Sequence, residues 1–203
     1  MLTRSIFVPL FFLLLISCGE SSTSKNLSLA ELISHRGLNE NKLDGFQAAI
    51  VYGYRFLEAD VRIRDGIPIL LHDDIECLDC STLVDLLELA EQEGVTLFLE
   101  FKEFRAIDES LKLINQFNVD VVLISNDADN LIYINSVSNY SLGYITLSDY
   151  DLTNLPSIDY LLINHPHINK CLEGIKCVAW TITKYKQYNK VKHKVDYVIA
   201  DLF

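Results

Sequence analysis

Residues 56–73 read FLEADVRIRDGIPILLHD, and this stretch organises the rest of the chain. It opens as a strand carrying two acids, Glu58 and Asp60, spaced two apart so that both leave on one face. Asp65-Gly66 follows between apolar runs, a strong short-range hairpin signal. Residues 61–72 are therefore expected to form a hairpin projecting from the second strand, with 68–72 as the returning arm. With Asp65 and Gly66 as the turn, Arg64 faces Ile67 and, counting back, Asp60 faces Leu71. His72 then falls within about a residue of Glu58 and Asp60, since facing pairs fix the register of a hairpin. Local sequence alone gathers one histidine and two carboxylates at a strand end.

Outward from this hairpin the chain repeats a short apolar strand followed by a helical stretch. Strands are expected at 31–34, 56–60, 95–101, 119–125, 142–146, 160–164, 176–181 and 197–200, rich in Val, Ile, Leu, Tyr and Phe and bounded by turn residues. Helices are expected at 44–52, 81–93, 108–116, 129–137 and 184–193. Leu83, Leu86, Leu87 and Ala90 mark one helical face. The pieces between the fifth and seventh strands are too short for full crossover helices. The class is α/β. Eight alternating strands fit a (β/α)8 barrel of the TIM type or an open doubly wound sheet, and periodicity does not separate them. As a barrel the chain would be small against the ~250 residues usual for one, with a β-hairpin after strand two and abbreviated late helices.

The N-terminus reads as an export signal: Arg4, an apolar run from Ile6 to Ile16 and then Ser17-Cys18. The run is short of the roughly 20 apolar residues that span a bilayer. Leu15-Ile16-Ser17-Cys18 resembles a lipobox, so 1–17 is expected to be a lipoprotein signal peptide and Cys18 the lipidated first mature residue. Residues 18–28 are polar and serine-rich, a flexible tether, and 29–203 form the domain. The expected location is the bacterial envelope. Gly19, where an Asp would favour inner-membrane retention in a Gram-negative cell, leans toward the outer membrane. With 17 basic and 28 acidic residues the formal charge is −11, which argues against nucleic-acid partners, since those are held by Lys and Arg on phosphates. Cys77, Cys80, Cys171 and Cys177 remain. In an oxidising compartment the sequence-close pairs Cys77–Cys80 and Cys171–Cys177 are the natural disulfides. A four-cysteine zinc site is the alternative, disfavoured by the six-residue step from Cys171 to Cys177.

Chemistry collects where strands end. His35-Arg36-Gly37 ends the first strand, Glu58 and Asp60 the second, His72-Asp73 the hairpin arm, and Glu100 and Lys102 the third. In a barrel, catalytic groups sit at this C-terminal face. Three carboxylates suit a hard divalent cation, Mg²⁺ or Ca²⁺. Two histidines suit general acid and base catalysis near neutral pH, and Arg36 and Lys102 suit an anion such as phosphate. Together these are the parts that phosphodiester cleavage needs.

The ordered run His35-Arg36-Gly37, Glu40-Asn41, Phe46, Ala49, Gly53, Glu58-Ala59-Asp60-Val61, Asp65-Gly66, Pro68 and His72-Asp73 resembles the signature of the glycerophosphodiester phosphodiesterase family. Thr82-Leu83, Leu99–Lys102, Trp180-Thr181 and 196–201 extend the likeness. The resemblance implies a barrel hydrolase that splits glycerophosphodiesters into glycerol phosphate and an alcohol, through attack by the glycerol hydroxyl beside the phosphate. It implies His35 and His72 as the acid–base pair, Glu58, Asp60 and Glu100 as metal ligands, and Arg36 and Lys102 at the phosphate. Trp180 is a candidate substrate-pocket residue. The chain departs from the family in having Asn39-Glu40-Asn41-Lys42 for Pro-Glu-Asn-Thr, Ser125-Asn126 for Ser-Phe and Ala200-Asp201 for Thr-Asp. It also replaces a substantial insertion over the site by the short segment 74–81. A more open mouth keeps two other functions in view: a lipid phosphodiesterase acting on lysophospholipid or sphingomyelin, and a non-catalytic ligand-binding barrel. Tyr133, Tyr140, Tyr144, Tyr150 and Tyr160 read mainly as packing residues.

Overall fold

The computed structural model describes residues 32–147 and 152–201; the expected signal peptide, Cys18 and the tether lie outside them. The described strands are β1 (Leu32–Ser34), β2 (Phe56–Arg64), β3 (Ile67–Leu70), β4 (Thr96–Phe101), β5 (Val121–Ser125), β6 (Ser141–Thr146), β7 (Tyr160–Asn164), β8 (Lys176–Ile182) and β9 (Tyr197–Ala200). The helices are α1 (Leu43–Val51), α2 (Leu83–Glu93), α3 (Ile107–Ile114), α4 (Ala128–Val137) and α5 (Tyr185–Val191). Eight strands run parallel in the order β1, β2, β4 to β9, and β1 pairs with β9 to close a barrel. The closed barrel, not the open sheet, is the fold. β3 lies antiparallel on the outer half of β2, with Val61 opposite Leu70 and Arg64 opposite Ile67. The Leu71 N–H still reaches the Asp60 carbonyl at 3.0 Å, so the hairpin keeps the register expected from its turn. The late connections are short. A 3-10 turn, His165–Lys170, replaces a helix between β7 and β8, and the described residues between β6 and β7 hold none.

Alternation along each strand builds two cores. Leu57, Ala59 and Val61 on β2, and Leu97, Leu99 and Phe101 on β4, face the helix layer. The residues between them face the barrel interior, where Phe98, Val122, Ile124, Tyr160, Leu162, Val178 and Ile199 pack together. α2 shows how sequence fixes the outer layer. Thr82 caps it by accepting the Asp85 N–H while the Asp85 carboxylate accepts the Thr82 N–H. Leu83, Leu86, Leu87 and Ala90 bury one face, and Gly94 ends the helix in the left-handed conformation at φ 62°.

The interior is filled from the bottom by aromatic rings. Phe98 meets Tyr160 edge-on at 5.2 Å, and Phe56 meets Tyr197 at 5.3 Å. Phe56, Tyr160 and Tyr197 are the first residues of their strands, so the cluster is a floor at the N-terminal end and leaves the C-terminal end for polar side chains. Phe98 is fully buried within it. Phe98→Ala is expected to cost about 3–5 kcal/mol, read as a lower midpoint in chemical denaturation. A loss below about 1 kcal/mol would mean that neighbouring rings refill the floor.

Candidate active site

Strand register brings the acids together. Glu58 and Asp60 face inward from β2, and Asp60 pairs in register with Glu100 of β4. Oxygens of Glu58, Asp60 and Glu100 lie within 4.8 Å of one another. Asp60 is 1% exposed and Glu58 3%, and a carboxylate so buried is costly unless compensated. Compensation comes from the loop after β1 and the residue after β4. Arg36 Nε lies 2.9 Å from Asp60 Oδ2, and the Arg36 backbone N–H donates to Glu58 Oε2 at 3.0 Å. Lys102 Nζ donates to Glu100 Oε1 at 2.8 Å and lies 3.6 Å from Asp60 Oδ1. Asn41, itself 2% exposed, clasps Asp60 twice. Its Nδ2 donates to Oδ2 at 2.9 Å and its Oδ1 accepts the Asp60 N–H at 3.1 Å. Reaching inward takes a tight backbone: Arg36, Gly37, Glu40 and Asn41 all have positive φ.

After these contacts Asp60 Oδ1 is buried without a hydrogen bond. Burial pushes the Glu58 carboxyl well above its ordinary range, and the charges on Asp60 and Glu100 push the same way. Burial also raises Glu100, then Asp60 adds to it, while Lys102 pulls it back. An orphaned carboxylate oxygen beside two reluctant acids, all hard oxygen donors, fits a hard divalent cation held by Glu58, Asp60 and Glu100.

The histidines stand on either side of this cluster in the chain. His35 follows β1, and its Nδ1 donates to Asp201 Oδ1 at 2.8 Å, just past β9. Burial lowers the pKa of His35, and the bond to Asp201 opposes the shift. His72 follows β3, and its Nδ1 donates to Asp73 Oδ1 at 2.7 Å. Arg62, two residues beyond Asp60 on β2, donates to the His72 carbonyl from Nε at 3.0 Å and Nη2 at 2.8 Å, fixing the end of the hairpin arm.

A cavity of about 380 Å³ opens here. One half is charged, lined by His35, Arg36, Glu58, His72, Glu100 and Lys102, with Asp60 behind them. The other half is neutral, lined among others by Ile124, Tyr144, Ile145, Leu162 and Trp180. Trp180 Nε1 donates to the Leu162 carbonyl at 3.0 Å, which leaves the indole ring without a free donor. Arg36 and Lys102 line the cavity, yet both are already engaged with carboxylates. The cysteines stand apart from it, paired as Cys77–Cys80 and Cys171–Cys177; Cys18 lies outside the described residues. Three site residues escape a local reading. Asn41 and Asp201 are visible in the sequence only as motif letters, and Tyr144 reads as packing. The left-handed loop preference of Asn is the signal for the first, whereas the contact from Asp201 to His35 spans 166 positions and has no local signal.

Residues 30–88 match the glycerophosphoryl diester phosphodiesterase family. His35, Arg36, Glu58, Asp60 and His72 fall inside the matched stretch, where the resemblance read from the sequence is borne out; Glu100 and Lys102 fall beyond it. Among solved structures, a phosphodiesterase of Oleispira antarctica in complex with the product sn-glycerol-3-phosphate is 21% identical with a TM-score of 0.77, over 84% of this chain and 92% of that one. A putative glycerophosphoryl diester phosphodiesterase of Silicibacter pomeroyi is 16% identical at 0.73, over 87% and 91%. The glycerophosphodiester phosphodiesterase of Thermotoga maritima is 24% identical at 0.64, over 85% and 94%. These structures share the barrel, and the family and the solved structures alike are phosphoric diester hydrolases. No curated protein matches the chain.

Glu58 carries a sign for pH. Its folded pKa lies above the unfolded value of about 4.3, so its contribution is fully present below that value and is lost as pH rises through the folded pKa. With chelator present, wild type is expected to lose thermal stability relative to Glu58→Gln as pH rises above the ordinary carboxylate value of about 4.3. Added Mg²⁺ or Ca²⁺ should restore more at the upper end, where protons no longer compete. Parallel pH profiles for the two proteins would show that Glu58 ionises freely.

Proposed function

We propose that this barrel hydrolyses glycerophosphodiesters to glycerol phosphate and an alcohol, with a divalent cation at Glu58, Asp60 and Glu100 and with His35 and His72 as acid and base. One observation carries the reading: three inward carboxylates, one with an orphaned oxygen, share a cavity mouth with two histidines that are each bonded through Nδ1 to a carboxylate. Mg²⁺ or Ca²⁺ bound there would offset negative charge on the phosphate oxygens.

The chain's own residues supply the rest. Three acids against Arg36 and Lys102 give the cluster by itself one excess negative charge when fully ionised. With a divalent cation held by these acids the sign would reverse, and Arg36 and Lys102 would then face an anionic diester without an excess of negative charge. Each Nδ1–H bond to Asp201 or Asp73 leaves the neutral ring's Nε2 as a proton acceptor. Burial lowers the pKa of His35 and so favours its neutral form, which suits it to take the proton from the attacking glycerol hydroxyl. As the hydroxyl oxygen bonds to phosphorus, the P–O bond to the alcohol breaks, and His72, when it carries a proton on Nε2, gives it to the leaving oxygen. Water then opens the resulting cyclic phosphodiester with the two histidines in exchanged roles, yielding glycerol phosphate and restoring both rings.

The neutral half of the cavity favours a second substrate class. Ile145 and Trp180, both partly exposed, offer hydrocarbon surface in the cavity, as a lysophospholipid or sphingomyelin would use. Export and anchoring through Cys18 complete the proposal, supported by the lipobox-like run ahead of the tether. The test is hydrolysis of glycerophosphocholine by the domain from Leu27, with Mg²⁺ or Ca²⁺ and with chelator. Chelator-sensitive release of glycerol phosphate is expected, falling about 10²–10⁴-fold in His35→Ala and in His72→Ala. Turnover of lysolipid alone would select the second class. No turnover of either, or full activity in both histidine variants, would refute the assignment.

A further inference from the structure

Residues 184–194, KYKQYNKVKHK, hold five of the chain's 17 lysines and arginines and no acid, in a protein of net charge −11. α5 turns Tyr188 and Val191 into the core. Lys186, Asn189, Lys190 and His193 are left as an exposed stripe at three- and four-residue spacing. Several surface cations elsewhere are paired with acids: Lys42 with Asp79, Arg105 with Glu103, Lys112 with Glu109. The lysine ion pairs among the described residues include none of Lys184, Lys186 or Lys190. The patch is uncompensated positive charge on an otherwise acidic body.

Its position gives it a direction. Trp180 and Thr181, which line the cavity, lie just before Lys184, so the stripe begins at the mouth. It ends at Lys194 beside the barrel floor, four residues before Val198, the register partner of Leu32. The stripe therefore runs the height of the barrel, from the site to the point where the preceding 31 residues enter the fold.

We infer that this stripe docks on an anionic lipid surface and lays the barrel on its side. Charge complementarity is the first argument: each lysine near such a surface strengthens binding about fivefold. Acids farther than ~8 Å from the stripe are largely screened at physiological salt. Tyr185, 52% exposed at the mouth end, is an amphipathic ring suited to headgroup depth. The apolar side of α5 is spent on the core, so the helix rests on the surface without inserting. Chain reach agrees. Cys18 precedes Leu32 by 14 residues, about 50 Å when extended, enough to follow the stripe. A sideways posture brings both the chain entry and the mouth to the lipid plane; an upright one presents only one of them.

The test does not depend on turnover. The domain from Leu27 to Phe203 holds every described strand and helix and lacks Cys18. Its sedimentation with vesicles of equal parts phosphatidylglycerol and phosphatidylcholine is compared with that on phosphatidylcholine alone. Binding to the anionic vesicles, weakened by salt, is expected. Lys186→Gln/Lys190→Gln should weaken it about 25-fold. Arg105→Gln/Lys112→Gln, with the same loss of charge, should leave it within about twofold, and hydrolysis of a soluble diester without vesicles should be equal in both variants. Absence of binding to anionic vesicles, equal binding to both vesicle types, or equal loss in the two variants would overturn the inference. Retention on soluble heparin without vesicle binding would overturn it in favour of a polyanionic polymer.

Discussion

Burying negative charge at the end of an apolar barrel is the constraint from which the rest follows. Asp60 sits 1% exposed between Glu58 and Glu100, a place where an uncompensated carboxylate would cost several kcal/mol or take up a proton. The fold answers with backbone as much as with charge. The loop after β1 passes through four positive-φ residues so that the amide and guanidinium of Arg36 and the side chain of Asn41 all reach the acids. Lys102 closes the opposite side from the end of β4. The compensation stops short, leaving one Asp60 oxygen without a hydrogen bond and only a 3.6 Å approach from Lys102. That deficit turns a structural problem into a site.

The hairpin does comparable work for geometry. β3 is not a barrel strand; it exists to return the chain to the top of β2, where Arg62 grips the His72 carbonyl. His35 is placed by barrel closure itself, because β1 and β9 are neighbours and Asp201 leaves β9 beside it. One histidine thus depends on a turn of two residues and the other on the pairing of the chain's two ends.

What was legible in the sequence follows the same division. Asp65-Gly66 fixed the hairpin register, since a two-residue turn leaves little freedom, and the two-residue spacing of Glu58 and Asp60 placed both on the inner face. The helix at 83–93 was readable from its apolar face, while its start moved two residues in because Thr82 serves as cap. Closure was not legible from periodicity, for the same strands suit an open sheet; the polar strand ends and the family resemblance tipped it. Asn41 and Asp201 stayed hidden as functional contacts because their partners are far along the chain. The engagement of Arg36 and Lys102 with carboxylates was hidden for the same reason: the sequence shows cations, but not which anions they already face.

The aromatic floor has a consequence for traffic. Phe56, Phe98, Tyr160 and Tyr197 stop the barrel like a cork at one end, so among the described residues the cavity is closed at its floor. On the proposed reading, a diester split above that floor yields two fragments, and neither can leave downward through the barrel.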